Sequence, residues 1–241
     1  MTRNGRVALV TGANKGIGRE IAHGLAQVGF TVLASARDRQ RGARTVAELA
    51  DDGLDVRFLQ LDVTDEPSIF AAADRVEQEF GRLDVLVNNA GIANELSVPP
   101  SLTVLDDLRR VYETNVFGVV AMTNAMLPLL RKSQAARIVN VSSRLGSISQ
   151  QAEPHTPLGL FMAYASSKAA LNAITVHYAR ELADTTIKVN ACAPGFCATD
   201  LNGNTGLRTP AQGAKIAVEL AVLAADGPTG GFFDDNGEVS W

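Results

Sequence analysis

Short runs of β-branched and aliphatic residues alternate with longer segments of helical periodicity along the whole 241-residue chain. This alternation indicates repeated βαβ units, which build a parallel sheet with helices on both of its faces. Several runs are apolar at every position, as expected of strands covered on both faces. The predicted strands span residues 6–11, 31–36, 56–60, 85–88, 137–141, 188–193 and 231–233. The predicted helices span residues 17–28, 40–51, 67–80, 102–127, 161–182 and 211–223.

No repeat, low-complexity tract or linker divides the chain, so one α/β domain is expected. The predicted fold is a Rossmann-type doubly wound parallel sheet of about seven strands in the order 3-2-1-4-5-6-7. Residues 1–140 would form mainly the cofactor part, and residues 141–241 mainly the catalytic and substrate part. Ligands of such sheets bind outside the carboxyl ends of the strands. Residues 146–160 and 196–209 look irregular and follow strands at that edge, so they are the predicted substrate loops.

The charge pattern argues against two classes of partner. The formal net charge is -4 and the basic residues form no run, so neither nucleic acid nor an anionic membrane is expected. Residues 116–130 are the most apolar long segment and fall short of the roughly 20 residues that span a bilayer. The first residues lack a signal-peptide core, so a cytoplasmic protein acting on small molecules is expected. Cys192 and Cys197 complete no zinc pattern with the three histidines, so no metal site is predicted.

The first predicted strand runs into Thr-Gly-Ala-Asn-Lys-Gly-Ile-Gly at residues 11–18 and then directly into a helix. Glycines permit a tight turn and let the backbone approach a pyrophosphate, whose negative charge the helix start favours. The residues predicted to bind a dinucleotide here are Gly12, Asn14, Lys15, Gly16, Ile17 and Gly18. The spacing differs from the Walker pattern, which disfavours a nucleotide hydrolase. An ordinary glycine-rich turn is the alternative interpretation.

The end of the second predicted strand indicates which dinucleotide is bound. Enzymes that prefer NAD often place an acidic residue there, about 20 residues beyond the glycines, to hold the ribose 2'-hydroxyl. Arg37 stands in this neighbourhood instead, Arg41 follows one helical turn later, and Lys15 lies within the glycine turn. Three cations could converge on a 2'-phosphate, which favours NADPH and NADP+. The alternative is that all three are solvated surface cations.

Tyr164 and Lys168 lie four residues apart in a predicted helix, so they share one face. An ammonium group beside a phenol favours the phenolate, and Lys168 is therefore expected to lower the pKa of Tyr164. Tyr164 would then be a general acid for reduction and a base for the reverse reaction. Ser143 ends a predicted strand at the carboxyl edge and could donate a hydrogen bond to a substrate carbonyl oxygen.

These motifs together resemble the short-chain dehydrogenase/reductase family over essentially the whole chain. They are the glycine turn, Asn-Asn-Ala-Gly at residues 88–91, a serine before the Tyr-x-x-x-Lys pair, and Pro-Gly at residues 194–195. Ala-Arg-Asp at 36–38, Leu-Asp-Val at 61–63 and Gly-Pro-Thr-Gly-Gly-Phe at 227–232 are similar to the carbonyl reductase branch. The resemblance implies NADPH-dependent reduction of a ketone or aldehyde.

The resemblance also implies a role for individual residues. Tyr164 would donate the proton, Ser143 would polarise the carbonyl, Lys168 would hold the nicotinamide ribose, and Asn115 would anchor a water of a proton relay. The implied cofactor contacts are Asp62 and Val63 at the adenine, Asn89, Ala90 and Gly91 along the floor, Pro194 and Gly195 at the strand exit, and Thr199 at the nicotinamide amide. Structural alternatives remain: Asn89 and Asn115 as buried amides, Pro194-Gly195 as a simple strand exit, and Thr199 as a helix cap.

Several points stay open at the level of sequence. Ser143 and Tyr164 are 21 positions apart, a spacing between those of tetrameric and monomeric members of the resembled family, and a homodimer or homotetramer is expected. The segment inserted around residues 153–157 could wall the substrate or obstruct helix pairing. The short segment 196–210 predicts an open pocket for bulky carbonyls. Arg144 could bind an acidic substrate group or be an ordinary surface arginine.

Two other functions remain possible. One is an NADP-linked alcohol, sugar or sterol dehydrogenase that works in biosynthesis with the same site. The other is a non-catalytic dinucleotide sensor, since a fold alone does not establish a function.

Overall fold

One sheet of eight strands runs through the computed structural model, which describes residues 5–93, 97–154 and 158–241. The strands are β1 (Val7–Val10), β2 (Thr31–Ala36), β3 (Val56–Gln60), β4 (Val85–Asn88), β5 (Arg137–Val141), β6 (Lys188–Cys192), β7 (Phe232–Asp234) and β8 (Gly237–Glu238). Their order is β3-β2-β1-β4-β5-β6-β7-β8. The first seven strands pair in parallel, which confirms the predicted order, and β8 adds an antiparallel edge.

The helices connect the strands and are α1 (Gly16–Gln27), α2 (Arg39–Asp51), α3 (Glu66–Phe80), α4 (Leu105–Tyr112), α5 (Gly118–Leu130), α6 (Ile148–Gln151), α7 (Met162–Glu181) and α8 (Pro210–Ala221). Side-chain caps define several of the starts. Asp38 accepts a hydrogen bond from the Arg41 amide at α2, Asp65 from Ser68 at α3, and Thr209 from Gln212 at α8. Such caps satisfy amides that have no partner within the helix.

The single helix predicted over residues 102–127 is observed as a continuous helical run over residues 105–130, with a π turn in its middle that was not predicted. A 3-10 turn at Pro100–Leu102 is followed by α4, by a π-helical turn at Glu113–Phe117 and then by α5. The π turn contains Asn115, whose side chain points inward and is fully buried. The predicted irregular segments are also partly ordered, because α6 lies within residues 146–160 and a 3-10 turn at residues 200–202 lies within 196–209.

The core has two layers, one on each face of the sheet. Alternate residues of β1 divide between them: Ala8 and Val10 belong to one apolar cluster, and Val7 and Leu9 to the other. The first cluster includes residues of α1 and α8, and the second includes residues of α3, α5 and α7. This arrangement confirms the prediction that the strands are covered on both faces. Among the described residues, no helix is both long and apolar enough to cross a bilayer.

A buried arginine ties β5 to the segment that follows α8. Arg137 is 3% exposed, and burial lowers the pKa of its guanidinium. It donates hydrogen bonds to the carbonyls of Leu223 at 2.6 and 3.0 Å and of Ala224 at 3.2 Å. It also donates to Ala136 O and Thr186 O. The guanidinium is therefore paired with backbone oxygens on three separate segments.

We predict that Arg137→Met lowers the free energy of unfolding by about 2–4 kcal/mol, because buried carbonyls lose their donors. Urea unfolding followed by circular dichroism measures the change. Arg109→Met is the matched control: Arg109 is 71% exposed and its ion pair with Asp106 lies on the surface, so about 0.5 kcal/mol or less is expected. Equal losses in the two variants would contradict this account of Arg137.

Candidate active site

The glycine turn has the backbone conformation that its residue types favour. Gly12 and Gly16 have φ angles of +64° and +56°, in the left-handed region that side chains rarely adopt. A Cβ atom at Gly18 would collide with Asn89 Nδ2 and Gly12 O. The turn can therefore pack directly against the residues that follow β4 only because glycine stands at position 18.

Hydrogen bonds fasten the turn to the end of β4. Thr11 Oγ1 accepts from the amides of Asn89 and Ala90 at 3.0 and 2.9 Å. Asn89 Nδ2 donates in return to Thr11 O at 2.8 Å and Gly12 O at 3.1 Å. Asn89 thus has the structural role of a satisfied amide, and it also places Ala90 and Gly91 beside the turn.

The start of α1 fits an anionic group such as a pyrophosphate. Lys15 is the N-cap residue, no side chain caps the helix, and the first turn holds no acidic residue. The amides there are open to a ligand, and the helix dipole favours negative charge.

Two other residues that were predicted to bind the dinucleotide are held in place by their neighbours. Asn14 O accepts from Thr45 Oγ1 at 2.8 Å, and Ile17 packs against the core.

The three predicted phosphate-binding cations lie at the surface, and two of them contact carboxylates. Lys15 Nζ is 2.5 Å from Asp200 Oδ2. Arg41 Nε is 3.5 Å from Asp38 Oδ2, while Arg37 follows β2 with an exposed side chain. The pKa of Asp200 is lowered, mainly by its hydrogen bond with Lys15 and by the charge of Lys15, and also by Arg41.

Asp62 and Val63 follow β3 at the same edge of the sheet. The Asp62 carboxylate accepts from Thr64 N at 3.0 Å and from Thr64 Oγ1 at 2.7 Å, so it stabilises its own turn. Val63 lies against α5, since a Cβ atom at Gly118 would be 2.7 Å from Val63 O.

The two serines after β5 have different surroundings. Ser142 is 3% exposed and donates to Asn172 Oδ1 at 2.6 Å. Ser143 begins the 3-10 turn, accepting from Leu145 N at 3.2 Å, and its side chain hydrogen-bonds that of Tyr164. The serine that faces Tyr164 is thus the second one, which is the residue predicted to polarise the carbonyl.

Lys168 is buried between α7 and the end of β5. It is 4% exposed, its Nζ donates to Val141 O at 2.8 Å, and it lies 5.6 Å from the centroid of the Tyr164 ring. A Cβ atom at Gly91 would lie 3.5 Å from Lys168 Nζ, so the lysine ammonium group is adjacent to residues 89–91, the predicted floor of the cofactor site. Burial lowers the pKa of Lys168 to about 8.

The expected lowering of the Tyr164 pKa by Lys168 is wrong. Tyr164 is half-buried, and burial raises the pKa of its phenol to about 12, while the hydrogen bond from Ser143 opposes part of this rise. The Lys168 ammonium is directed at Val141 O, so it does not offset the loss of water around the phenolate. At neutral pH the phenol is therefore protonated.

Asn115 is a buried amide with protein partners. Its Oδ1 accepts from Ile92 N at 2.9 Å, and its Nδ2 donates to Ile92 O and Ser167 Oγ, each at 3.0 Å. Ser167 Oγ in turn donates to Tyr164 O at 2.7 Å. The side chain thus joins the segment after Gly91 to α7. Asn115 lies in the π turn, and such turns are frequent at functional sites.

The loop after β6 reaches back to the glycine turn. Pro194 is buried, and Gly195 has a φ of +79°. Thr199 begins the 3-10 turn at residues 200–202, its amide donating to Asn202 Oδ1 at 3.2 Å. A Cβ atom at Gly16 would lie 3.4 Å from Thr199 Cγ2. Thr199 is therefore a helix cap, which was the alternative to its role as a cofactor contact. It also lies beside the predicted pyrophosphate site.

Two ion pairs near the site have no counterpart among the predicted features. Arg144 pairs with Asp234, which is 8% exposed, and Arg208 pairs with Asp235. Arg144 is exposed, as the interpretation of an ordinary surface arginine states, and its guanidinium pairs with Asp234 instead of being free for an acidic substrate. The sequence signal for these two ion pairs was the pair of adjacent acids, Asp234 and Asp235, just after the last predicted strand.

Of the segment 153–157, which was predicted to wall the substrate or to obstruct helix pairing, residues 155–157 lie outside the described residues.

Within the described ranges, no group of three or more His, Cys, Asp or Glu residues could hold a metal ion. Both cysteines are free and buried.

Comparison with known proteins places the chain in a family. The family model for short chain dehydrogenase matches residues 6–209. A relative from Penicillium roqueforti, short-chain dehydrogenase anuI, is 40% identical over 223 residues, covering 89% of this chain and 88% of its own. Carbonyl reductase [NADPH] 1 of Sus scrofa is 36% identical over 281 residues, covering 100% and 96%.

Solved structures agree with this assignment. NADPH-bound carbonyl reductase from chicken fatty liver superposes with a TM-score of 0.87 and 31% identity, covering 99% of this chain and 100% of its own. Salutaridine reductase from Papaver somniferum gives a TM-score of 0.84 and 31% identity, covering 95% and 99%. Carbonyl reductases are thus among the relatives, as the resemblance implies. The chain belongs to the short-chain dehydrogenase family of oxidoreductases.

Proposed function

We propose that the protein uses NADPH to reduce the carbonyl of a ketone or aldehyde to an alcohol. The observation that carries the proposal is the hydrogen-bonded Ser143–Tyr164 pair, which lies beside the buried Lys168 at the same sheet edge as the glycine turn. Relatives that are named NADPH carbonyl reductases support this reaction.

The residues proposed to hold NADPH surround that edge. They are Gly12, Asn14, Gly16, Ile17 and Gly18 at the pyrophosphate, Lys15, Arg37 and Arg41 at the 2'-phosphate, Asp62 and Val63 at the adenine, Asn89 to Gly91 along the floor, and Tyr164, Lys168, Pro194, Gly195 and Thr199 at the nicotinamide riboside. The open amides at the start of α1 support the pyrophosphate position. When bound, the cofactor supplies the hydride.

Each catalytic side chain would have a distinct task. Ser143 Oγ would donate a hydrogen bond to the substrate oxygen, where negative charge develops. Tyr164 Oη would then give its proton to that oxygen. The phenol of Tyr164 is protonated at neutral pH, as a proton donor must be before each turnover. Lys168 would hold the ribose, and Asn115 would anchor the water that returns a proton to Tyr164.

The surface around the site favours an uncharged and bulky substrate. Large apolar side chains are exposed on the loops after β5 and β6 and just before α7: Ile148, Leu160, Phe196, Leu201 and Leu207. Arg144 is neutralised by Asp234, so it offers no free charge to an acidic substrate. A hydrophobic ketone, diketone or quinone fits this surface better than a sugar acid.

The oxidative alternative uses the same residues in the reverse direction, with Tyr164 as the base. A non-catalytic sensor would not need a serine hydrogen-bonded to a tyrosine with a buried lysine near the tyrosine ring. The division into a cofactor part (1–140) and a catalytic part (141–241), the cytoplasmic location and the homodimer or homotetramer stay predictions.

The experiment that tests the proposal is Tyr164→Phe, assayed by the loss of NADPH absorbance with a panel of aldehydes, ketones, diketones and quinones. Removing the proton donor should lower kcat by about 10²–10⁴-fold. NADPH binding, followed by its fluorescence, should change less than about twofold, because the ring remains.

Tyr178→Phe is the matched control, since Tyr178 lies on the same helix and its hydroxyl bonds Asn124 at 2.7 Å, away from Ser143. This variant should keep its activity. If Tyr164→Phe also kept most of its rate, the proton-donor assignment would be wrong.

We also predict that Lys168→Met is inactive yet more stable at pH 7. Burial lowers the pKa of Lys168 from 10.5 to about 8, which corresponds to about 3 kcal/mol of destabilisation, partly offset by the bond to Val141 O. The folded state binds this proton less tightly than the unfolded state. The penalty is therefore full below pH 8 and disappears as the pH rises from about 8 to 10.5.

Thermal unfolding at pH 7 and at pH 10 measures this effect. The variant should melt higher than the native protein at pH 7, and the difference should shrink at pH 10. Lys215→Met, at an exposed position, is the control and should change stability little at either pH. A Lys168→Met variant that melts well below the native protein at pH 7 would contradict the account.

A further inference from the structure

A carboxylate of the chain itself contacts the lysine of the glycine turn. Lys15 Nζ lies 2.5 Å from Asp200 Oδ2, although the two residues are 185 positions apart. Lys15 immediately precedes α1, and Asp200 begins the 3-10 turn of the loop after β6. The ion pair therefore joins the two segments that flank the proposed cofactor site.

The same carboxylate lies in the field of a second proposed phosphate ligand. The pKa of Asp200 is lowered first by the Lys15 hydrogen bond, then by the Lys15 charge, and further by Asn204 and by the charge of Arg41. Asp38 is the other acid near Arg41, and its carboxylate also caps α2. Asp200 differs from Asp38 because it belongs to a distant part of the chain and stabilises no helix of the cofactor part.

The loop that carries Asp200 is closed and rests on the glycine turn. Its base is held by hydrogen bonds from Ala198 N to Arg208 O at 2.8 Å and from Arg208 N to Phe196 O at 3.1 Å. Asn204, which hydrogen-bonds Asp200, has a φ of +62°, the one left-handed residue other than glycine in the described chain. Together with the contact of Thr199 on Gly16, these bonds hold the carboxylate at Lys15.

We propose that Asp200 competes with the 2'-phosphate of NADPH for Lys15, and so sets how strongly the enzyme distinguishes NADPH from NADH. The inference rests on the proposed function, because it takes Lys15 to be a phosphate ligand. A phosphate that binds Lys15 must weaken or displace the Asp200 pair, whereas NADH has no 2'-phosphate and leaves the pair intact. Both partners are more than half exposed, at 54% and 62%, so the pair is weak and the effect is a few-fold.

The test measures binding of two fragments by isothermal titration calorimetry, without turnover. The probes are 2',5'-ADP, which carries the 2'-phosphate, and 5'-AMP, which lacks it. Asp200→Asn removes the charge at nearly constant size. It should tighten 2',5'-ADP binding about two- to fivefold and leave 5'-AMP binding unchanged. Asp226→Asn, at an exposed site after α8, controls for a change in net charge.

A double-mutant cycle separates direct competition from a general effect of charge. In a Lys15→Met background, Asp200→Asn should no longer alter 2',5'-ADP affinity, because the contested cation is gone. The inference is overturned if Asp200→Asn leaves 2',5'-ADP binding unchanged or weaker, if 5'-AMP gains equally, or if the gain persists with Lys15→Met.

The outcome for the native protein distinguishes the two proposals. A native protein that binds 2',5'-ADP no more tightly than 5'-AMP contradicts the proposed NADPH preference, and this inference fails with it. A clear native preference for 2',5'-ADP that Asp200→Asn does not change overturns the role of Asp200 alone.

Discussion

The parallel pairing of β1, β4, β5 and β6 is the constraint on which the site depends. Because these four strands run in one direction, each of them ends at the same edge of the sheet, and each is followed there by a segment of the site. The glycine turn follows β1, Asn89 follows β4, Ser143 follows β5 and Pro194 follows β6. Residues far apart in sequence therefore meet without any of the four segments crossing the core.

Lys168 links this edge to α7 at a cost in stability. Lys168 is 4% exposed, and its ammonium group donates to one carbonyl and lies near the Tyr164 ring, so a charge is buried without a counter-charge. Asn115 and Ser167 add further buried polar contacts between α7 and the segment after Gly91. Such polar groups hold a fixed geometry at the price of stability, as expected where a site positions a proton donor.

Much of the fold and the position of the site are predictable from sequence because their signals are local. The alternation of strands and helices and the glycine turn follow from periodicity and from short motifs, whereas the pairing of Ser143 with Tyr164 follows from the resemblance to the family. The features that were not predicted depend on distant contacts. The π turn contains Asn115, whose side chain bonds the distant Ile92, and β8 is recognised only by its pairing with β7 over two residues. The pKa of Tyr164 depends on burial, which a spacing of four residues does not reveal.

The central claim is that hydride passes from NADPH to a carbonyl carbon while the protein supplies the proton. The most direct test uses NADPH deuterated at the transferring position of C4, with a ketone that the enzyme accepts, and mass spectrometry of the alcohol. The account predicts one deuterium on the carbinol carbon, and none at that carbon when unlabelled NADPH is used in D2O. An alcohol whose carbinol hydrogen comes from solvent, or the absence of any alcohol across the carbonyl panel, would contradict it.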